Sequence, residues 1–360
     1  MTEAARAPGV REPAAPGEEG PAGGEGPRPR GFVLAHLSDP HVPTRLDAGP
    51  HRLLNKRVFG YLSWRFRRAR IHRREVLEAL ARDLAALRPD HVAVTGDIVN
   101  IALPHEFTRA AEWLRTLGDP ARVTVVPGNH DAYVAIKWER SWAAWGDFMS
   151  SDGGGPGSGR ADDEAGAGSP VAAIGREWFP VFRRRGLVAL VGLSTAVPTA
   201  PGHSSGRIGK AQLERAEDRL RAAGSAGLFR VVLLHHPPQA TNAPHHKRLT
   251  DAGPFCEMIA RSGAELVLHG HEHRFRREEI GGPHGPVPVF GVPSASMLPN
   301  AHGTTAQYHV HHIEAAGGHW ALSTRVHTYS DQHGSDQHGR FVESRRLEAC
   351  LPRRPVPSAR

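Results

Sequence analysis

From residue 32 to about residue 270, short apolar runs that stop abruptly alternate with longer stretches whose apolar residues recur every three or four positions. Segments 32–37, 91–95, 123–126, 187–193, 231–234 and 266–268 predict buried strands. Between them, Val76, Leu77, Leu80, Leu84 and Leu87 share one helical face, with Pro89 just beyond its end. Phe107, Ala110, Leu114 and Leu117 mark a second helix closed by Gly118, and Gln212, Leu213, Ala216 and Leu220 a third ended by Gly224. Phe255, Met258 and Ile259 predict a short fourth helix that stops at Gly263. Segments 287–292, 307–313 and 320–326 then predict strands joined by turns, with no helix between them. Strand–helix alternation followed by a closing set of strands predicts an α/β core with sheets buried between helices.

The remaining segments break this pattern in different ways. Residues 1–30, almost without large apolar side chains, predict a disordered tail ahead of one domain over 31–330. Within that domain, 151–170 is Gly, Ser, Asp and Ala without periodicity and predicts a flexible loop. Residues 331–360 predict a polar, basic C-terminal tail. A basic insertion spans about 45–74. In it Leu54, Val58, Leu62 and Phe66 recur at four-residue spacing among Arg52, Lys56, Arg57, Arg65, Arg67 and Arg68, although Gly60 weakens the case for one unbroken helix.

Composition narrows the partners only slightly. The 360-residue chain carries a formal charge of +8 and a pI near 10.1, which suits phosphate esters, nucleic acid or acidic lipid. Two cysteines, Cys256 and Cys350, make no disulfide framework and fit a reducing compartment. No stretch is apolar enough to span a bilayer and the N-terminus lacks a signal-like apolar centre, so a cytoplasmic protein is expected.

The candidate chemistry sits at the strand ends. Asp39 and His41, Asp97, Asn129 and His130, His235, then His271 and His273 each lie just beyond the last apolar residue of a predicted strand. In α/β sheets that crevice is where sites assemble. Taken singly, Asp39-Pro40-His41 reads as a turn and Gly96-Asp97 as a helix entry; the combination overturns those readings. Asp, Asn and His donors without thiolate suit Zn, Mn or Fe. Seven donors are too many for one tetrahedral ion and suit two ions sharing a carboxylate. Asn100 reads as a loop-stabilising residue and His236 as packing beside the site. His245, His246, His302, His309, His311 and His312 read as surface or strand histidines.

The set Asp39-x-His41, Gly96-Asp97, Gly128-Asn129-His130-Asp131, His235-x-Pro237 and Gly270-His271-x-His273 resembles the calcineurin-like metallophosphoesterase superfamily, over roughly residues 32–330. The resemblance implies a four-layer α-β-β-α sandwich, two face-to-face sheets with helices outside. It implies two divalent or transition metal ions, Mn, Fe or Zn. Asp39, His41 and His273 would hold the first; Asn129, His235 and His271 the second; Asp97 would bridge. It makes His130 a catalytic residue facing the phosphate, oriented by Asp131. The chemistry implied is phosphoester hydrolysis by metal-activated hydroxide, with His130 protonating the leaving alkoxide.

Gly206-Arg207-Ile208-Gly209-x-x-Gln212-Leu213, with His-His-Pro-Pro at 235–238, is similar to the bacterial cyclic-nucleotide phosphodiesterase-like branch. A phosphodiesterase acting on a small-molecule phosphoester is therefore expected. The alternative is a pyrophosphatase acting on a lipid-linked nucleotide at the membrane surface, and a nuclease, favoured only by the pI, comes last. For 52–70 a cap over the cleft is the first expectation. A peripheral contact with anionic lipid is the second and nucleic acid, lacking an aromatic–basic stacking pattern, the third.

Overall fold

The computed structural model describes residues 31–44, 46, 55–152, 178–239, 244–299, 303–331 and 339–353, without the side chains of Arg67 and Ala69. The tail expected over 1–30 lies outside these residues, as does all of the loop expected over 151–170 except Ser151 and Asp152.

Apolar runs that read as buried strands form the centre of two six-stranded sheets. In the first, β1 (Phe32–Leu37), β2 (His91–Val94) and β3 (Val123–Val125) run parallel. The second contains β4 (Val181–Arg185), β5 (Val188–Gly192), β6 (Phe229–Leu233), β7 (Leu266–His269), β8 (Arg276–Gly282) and β9 (Gly285–Gly291), in the order β4-β5-β6-β7-β9-β8. Strands β10 (Gln307–Ala316), β11 (His319–Ser330) and β12 (Arg340–Pro352) return to the first sheet, giving β12-β11-β10-β1-β2-β3. The parallel strands are buried on both faces because helices cover what the partner sheet does not.

Inner faces meet through aromatic rings: Phe229 packs edge-on against Trp320 at 5.4 Å, and Phe290 against His311 at 5.5 Å. Outside the first sheet, α3 (Arg74–Leu87) buries the face carrying Val76, Leu77, Leu80 and Leu84. Its Asp83 accepts a hydrogen bond from the Tyr308 hydroxyl on β10. Beside it runs α4 (Pro104–Leu117), preceded by α1 (Arg57–Ser63) and the short α2 (Ala69–Ile71). On the second sheet lie α5 (Lys210–Ser225) and α6 (Ala252–Ser262), whose Leu220, Phe255 and Ile259 pack with Val232 and Leu234. Each such side chain contributes about 1.5–3 kcal/mol on burial. The four-layer sandwich expected from the sequence is the observed architecture.

Polarity conceals three strands. The segment 331–360, read from sequence as a tail, instead supplies β12, paired along its length with β11. As an edge strand it exposes Glu343, Ser344, Arg345 and Arg346, a composition that discourages further pairing. Edge strands β8 (Arg-Arg-Glu-Glu-Ile-Gly-Gly) and β4 (Val-Phe-Arg-Arg-Arg) are likewise charged. In β4, Arg183 is buried because its guanidinium donates to the carbonyls of Val123 (2.8 Å), Asp147 (2.7 Å) and Ser150 (2.7 Å) among others.

The basic insertion is helical, but α1 and α2 are separated by a π-turn at Trp64–Arg68 and not by Gly60. Gly60 is a packing residue: a Cβ there would come within 2.6 Å of Ile101 and 2.7 Å of the Tyr133 hydroxyl. Arg57 ties the insertion down, its Nε donating to the Ile101 carbonyl at 3.0 Å and Nη2 to that of Ala102 at 2.5 Å. Leu62 and Phe66, two of the apolar residues at four-residue spacing, are exposed. Among the described residues no helix is long and apolar enough to cross a membrane.

Candidate metal centre

Of the five strands whose carboxyl ends point toward the same crevice, β1, β2 and β7 lead into residues with an unusual backbone. Among the described non-glycine residues with positive φ are Asp39 (50°), His41 (38°), Asp97 (53°), His271 (71°) and His273 (53°). Such conformations cost of order 1–3 kcal/mol each and persist where the surroundings impose them. Here the crossing hydrogen bonds do so: Asp39 N donates to Gly96 O (2.9 Å), His41 N to Asp97 O (3.1 Å) and Gly270 N to His235 O (3.1 Å). Gly128 is obligatory because any Cβ would collide with the Asp97 carboxylate.

Two groups of donors converge. In the first, His273 Nε2 lies 3.0 Å from Asp39 Oδ1 and 3.4 Å from His41 Nε2. In the second, His235 Nε2 lies 3.2 Å from Asn129 Oδ1 and 3.4 Å from Asp97 Oδ2. One donor atom each from Asp97, His235 and His271 fall within 4.8 Å of one another, as do those of His41, Asp97 and His130. Asp97 therefore stands between the groups. The seven candidate ligands and His130 come together here, whereas Asp131 does not.

The outer nitrogens decide whether the set suits a cation. His41 Nδ1 faces Val99 O (3.3 Å), His235 Nδ1 faces Thr95 O (2.6 Å) and His271 Nε2 faces Lys247 O (3.0 Å). A carbonyl only accepts, so each of these nitrogens carries the proton and the other is a lone pair turned inward. At His235 a neutral ring would aim that lone pair at two oxygens, which needs a proton or a metal between them. Burial lowers the His235 pKa, but Asp97 and Asp39 more than reverse this and raise it to about 9. The Asp39 and Asp97 carboxyls, which burial alone would raise, are instead held well below the carboxylate range by His273 and His235 respectively. Ionised carboxylates with inward lone pairs make a donor set that fits divalent cations.

Two expectations change. Asp131 does not touch His130. Its Oδ1 accepts from Ile98 N (2.9 Å) and Val99 N (3.0 Å), and its Oδ2 from Gly128 N (2.8 Å). It is the buried post that braces the Asp97 loop against the Asn129 turn. His130 is held otherwise, its Nδ1 donating to Asn100 O at 2.5 Å and its backbone N to Asp97 Oδ1 at 2.7 Å. Burial, then Arg68, lower its pKa to about 4, so the ring is neutral near pH 7. Of the histidines expected on the surface or in strands, His309 and His311 are fully buried on β10, whereas His245 and His246 are exposed in a 3-10 turn; His302 lies outside the described residues. Asn100 braces its loop through Glu106 and Val42, and His236 packs against His271 at 4.4 Å.

Two residues at the site give no sequence signal. Arg68, from the π-turn, brings Nη1 within 3.0 Å of His130 Nδ1 and 3.2 Å of its Nε2. His72, just after α2, sits 4.6 Å ring to ring from His41 and is anchored by Ser296 Oγ at 2.8 Å. With His41, Trp64 and Asn100 they line a cleft of about 310 Å³. A larger groove of about 920 Å³ between α3 and α4 contains none of the candidate ligands.

Comparison with known proteins agrees with this geometry. The calcineurin-like phosphoesterase family model matches residues 32–275. The glycerophosphodiester phosphodiesterase GpdQ of Enterobacter lignolyticus (strain SCF1) is 33% identical over 100 residues, a stretch that is 28% of this chain and 30% of that protein. The crystal structure of a dimetal phosphatase from Danio rerio shares the fold, with a TM-score of 0.51 at 11% identity over 89% of this chain and 98% of the other. The chain thus belongs to the calcineurin-like phosphoesterase family.

Proposed function

We propose that the chain is a binuclear phosphodiesterase in which Asp39, His41 and His273 hold one cation, Asn129, His235 and His271 the other, and Asp97 bridges. The observation that carries this is the set of inward lone pairs fixed by Val99, Thr95 and Lys247 carbonyls around one shared carboxylate. When bound, a cation pair supplies Lewis acidity and a water acidic enough to attack at neutral pH. Manganese, iron and zinc all match the donors.

The chain's own residues do the rest. Among the described residues, Arg68 places its guanidinium beside His130 in the cleft, and it would pair with the phosphoryl oxygens as charge develops. His130, neutral with its Nδ1–H given to Asn100, presents Nε2 toward Arg68 and would hold that guanidinium in place. This arrangement favours a positioning role over protonation of the leaving group. One cationic side chain suits the single charge of a diester better than the two of a monoester. The partial likeness to a glycerophosphodiester phosphodiesterase supports the same preference.

A panel of a monoester, a simple diester, a cyclic nucleotide and single-stranded DNA, with and without manganese, tests this. The diester is expected to give the highest kcat/KM, and Arg68→Ala to lower it by about 10²-fold or more. Equal turnover of all four by wild type, or an Arg68→Ala protein as active as wild type, would remove the reading.

A second reading, hydrolysis at a lipid surface with a lipid-linked nucleotide as substrate, is favoured by one observation. Phe59, Leu62 and Phe66 are 59%, 46% and 69% exposed on the insertion that also delivers Arg68. Their spacing puts them on one face among arginines, the arrangement of an interfacial helix. Wild type is expected to float with anionic phosphatidylglycerol vesicles and the Phe59→Ser/Phe66→Ser variant to remain in solution. Equal flotation of the two would confine the insertion to capping.

A further inference from the structure

Between the sheets, away from the strand-end crevice, lies a second collection of imidazoles. His36 on β1 and His309 and His311 on β10 are all fully buried and face the second sheet, where Phe290 packs against His309 (6.1 Å) and His311 (5.5 Å). One ring nitrogen from each of the three lies within 4.8 Å of those of the other two. In an interdigitated apolar layer three such rings are costly unless their nitrogens are satisfied. They are not satisfied by protein. Among the described residues, His36 Nδ1, His311 Nε2 and both nitrogens of His309 have no hydrogen-bond partner, and neither has Nε2 of the neighbouring His269.

The nitrogens that do have partners show which way the rings are set. His36 Nε2 meets the Thr95 hydroxyl and His311 Nδ1 the Thr324 hydroxyl, each at 2.9 Å. When those outer nitrogens carry the protons, His36 Nδ1 and His311 Nε2 are lone pairs, the tautomers that a cation demands, with an outer partner fixing each ring. Burial holds all three rings below the usual imidazole range, so they are neutral and able to ligate. Nitrogens bound tetrahedrally at about 2.0–2.1 Å stand about 3.4 Å apart, a spacing to be compared with the 4.8 Å within which these three already lie.

We infer that His36, His309 and His311 form an internal metal site, distinct from the strand-end pair, that takes one imidazole-preferring divalent cation, zinc above all. Three neutral imidazoles without thiolate or carboxylate select zinc over magnesium, calcium or manganese. Placed between the sheets, the ion would be structural, joining β1 to the return strand β10 from the inside. Nothing in hydrolysis depends on it, so it stands or falls independently of the function proposed above.

The full chain, loaded with zinc and desalted, gives the test by metal content and by anomalous diffraction at the zinc edge. One more zinc is expected in wild type than in His309→Leu or His311→Leu, with diester turnover at saturating manganese unchanged. Wild-type crystals are expected to show an anomalous peak among the three rings. Because that map needs no variant, a variant that fails to fold does not blunt the test. Equal zinc in wild type and variants, or a wild-type map with water or no density among the rings, would overturn the inference.

Discussion

Asp97→Ala is expected to fold and yet to lose phosphodiester turnover by about 10³-fold or more at saturating manganese. The carboxylate is 2% exposed, receives His130 N on Oδ1 and faces His235 Nε2 across 3.4 Å on Oδ2. Among the candidate ligand groups Asp97 is the residue shared by one containing His41 and one containing His235 and His271. Its loss removes a shared ligand and an anchor of the His130 turn at once. Sharing two cations is worth several kcal/mol of charge stabilisation, and each tenfold in rate is about 1.4 kcal/mol. The metal-free protein offers a readout independent of activity. With Asp97 present the His235 ring is raised to about 9; without it the leading influence left is burial, which lowers it. An NMR titration of His235 should therefore move from near 9 in wild type to below the ordinary imidazole range in the variant. Wild-type turnover in Asp97→Ala would remove the bridging assignment, whatever the titration shows.

The same residue explains why so much of the site is legible in the sequence. Ligands at strand ends follow an apolar run, with a Gly just ahead of Asp97, Asn129 and His271, so their convergence follows from the parallel order of β1, β2 and β3 and of β6 and β7. Arg68 and His72 reach the site by tertiary approach. They lie in an arginine-rich insertion where no spacing distinguishes the arginine that turns inward from those that face solvent. Polarity hides the strands β4, β8 and β12 for a related reason: an edge strand is stabilised by ladder hydrogen bonds on one side and needs little apolar alternation. Arg183 shows the extreme form, a buried cation whose partners are carbonyls from two distant segments, 120–123 and 147–150. The role of Asp131 is not legible in the sequence because its nearest neighbour along the chain, His130, is not its neighbour in space.

Asp131→Ala separates these two roles. Its carboxylate is wholly buried and accepts from Gly128 N, Ile98 N and Val99 N, so alanine would leave three buried N–H groups without an acceptor. At about 1–3 kcal/mol for each unsatisfied group, partly relieved by relaxation or an entering water, the loss is about 3–5 kcal/mol. For a chain of this size that lowers the melting temperature by roughly 5–15 °C. Activity would fall as well, because the braced segments carry Asp97 on one side and Asn129 and His130 on the other. Asp131→Asn keeps one acceptor oxygen for Ile98 and Val99 but turns an amide N–H₂ toward Gly128 N, so about 1–3 kcal/mol is expected. A carboxylate that only oriented His130 would behave differently, costing kcat while leaving stability alone. Thermal melts of the metal-free variants beside their kinetics make the distinction: unchanged melting with a collapsed kcat in Asp131→Ala would return Asp131 to the imidazole and undo the brace.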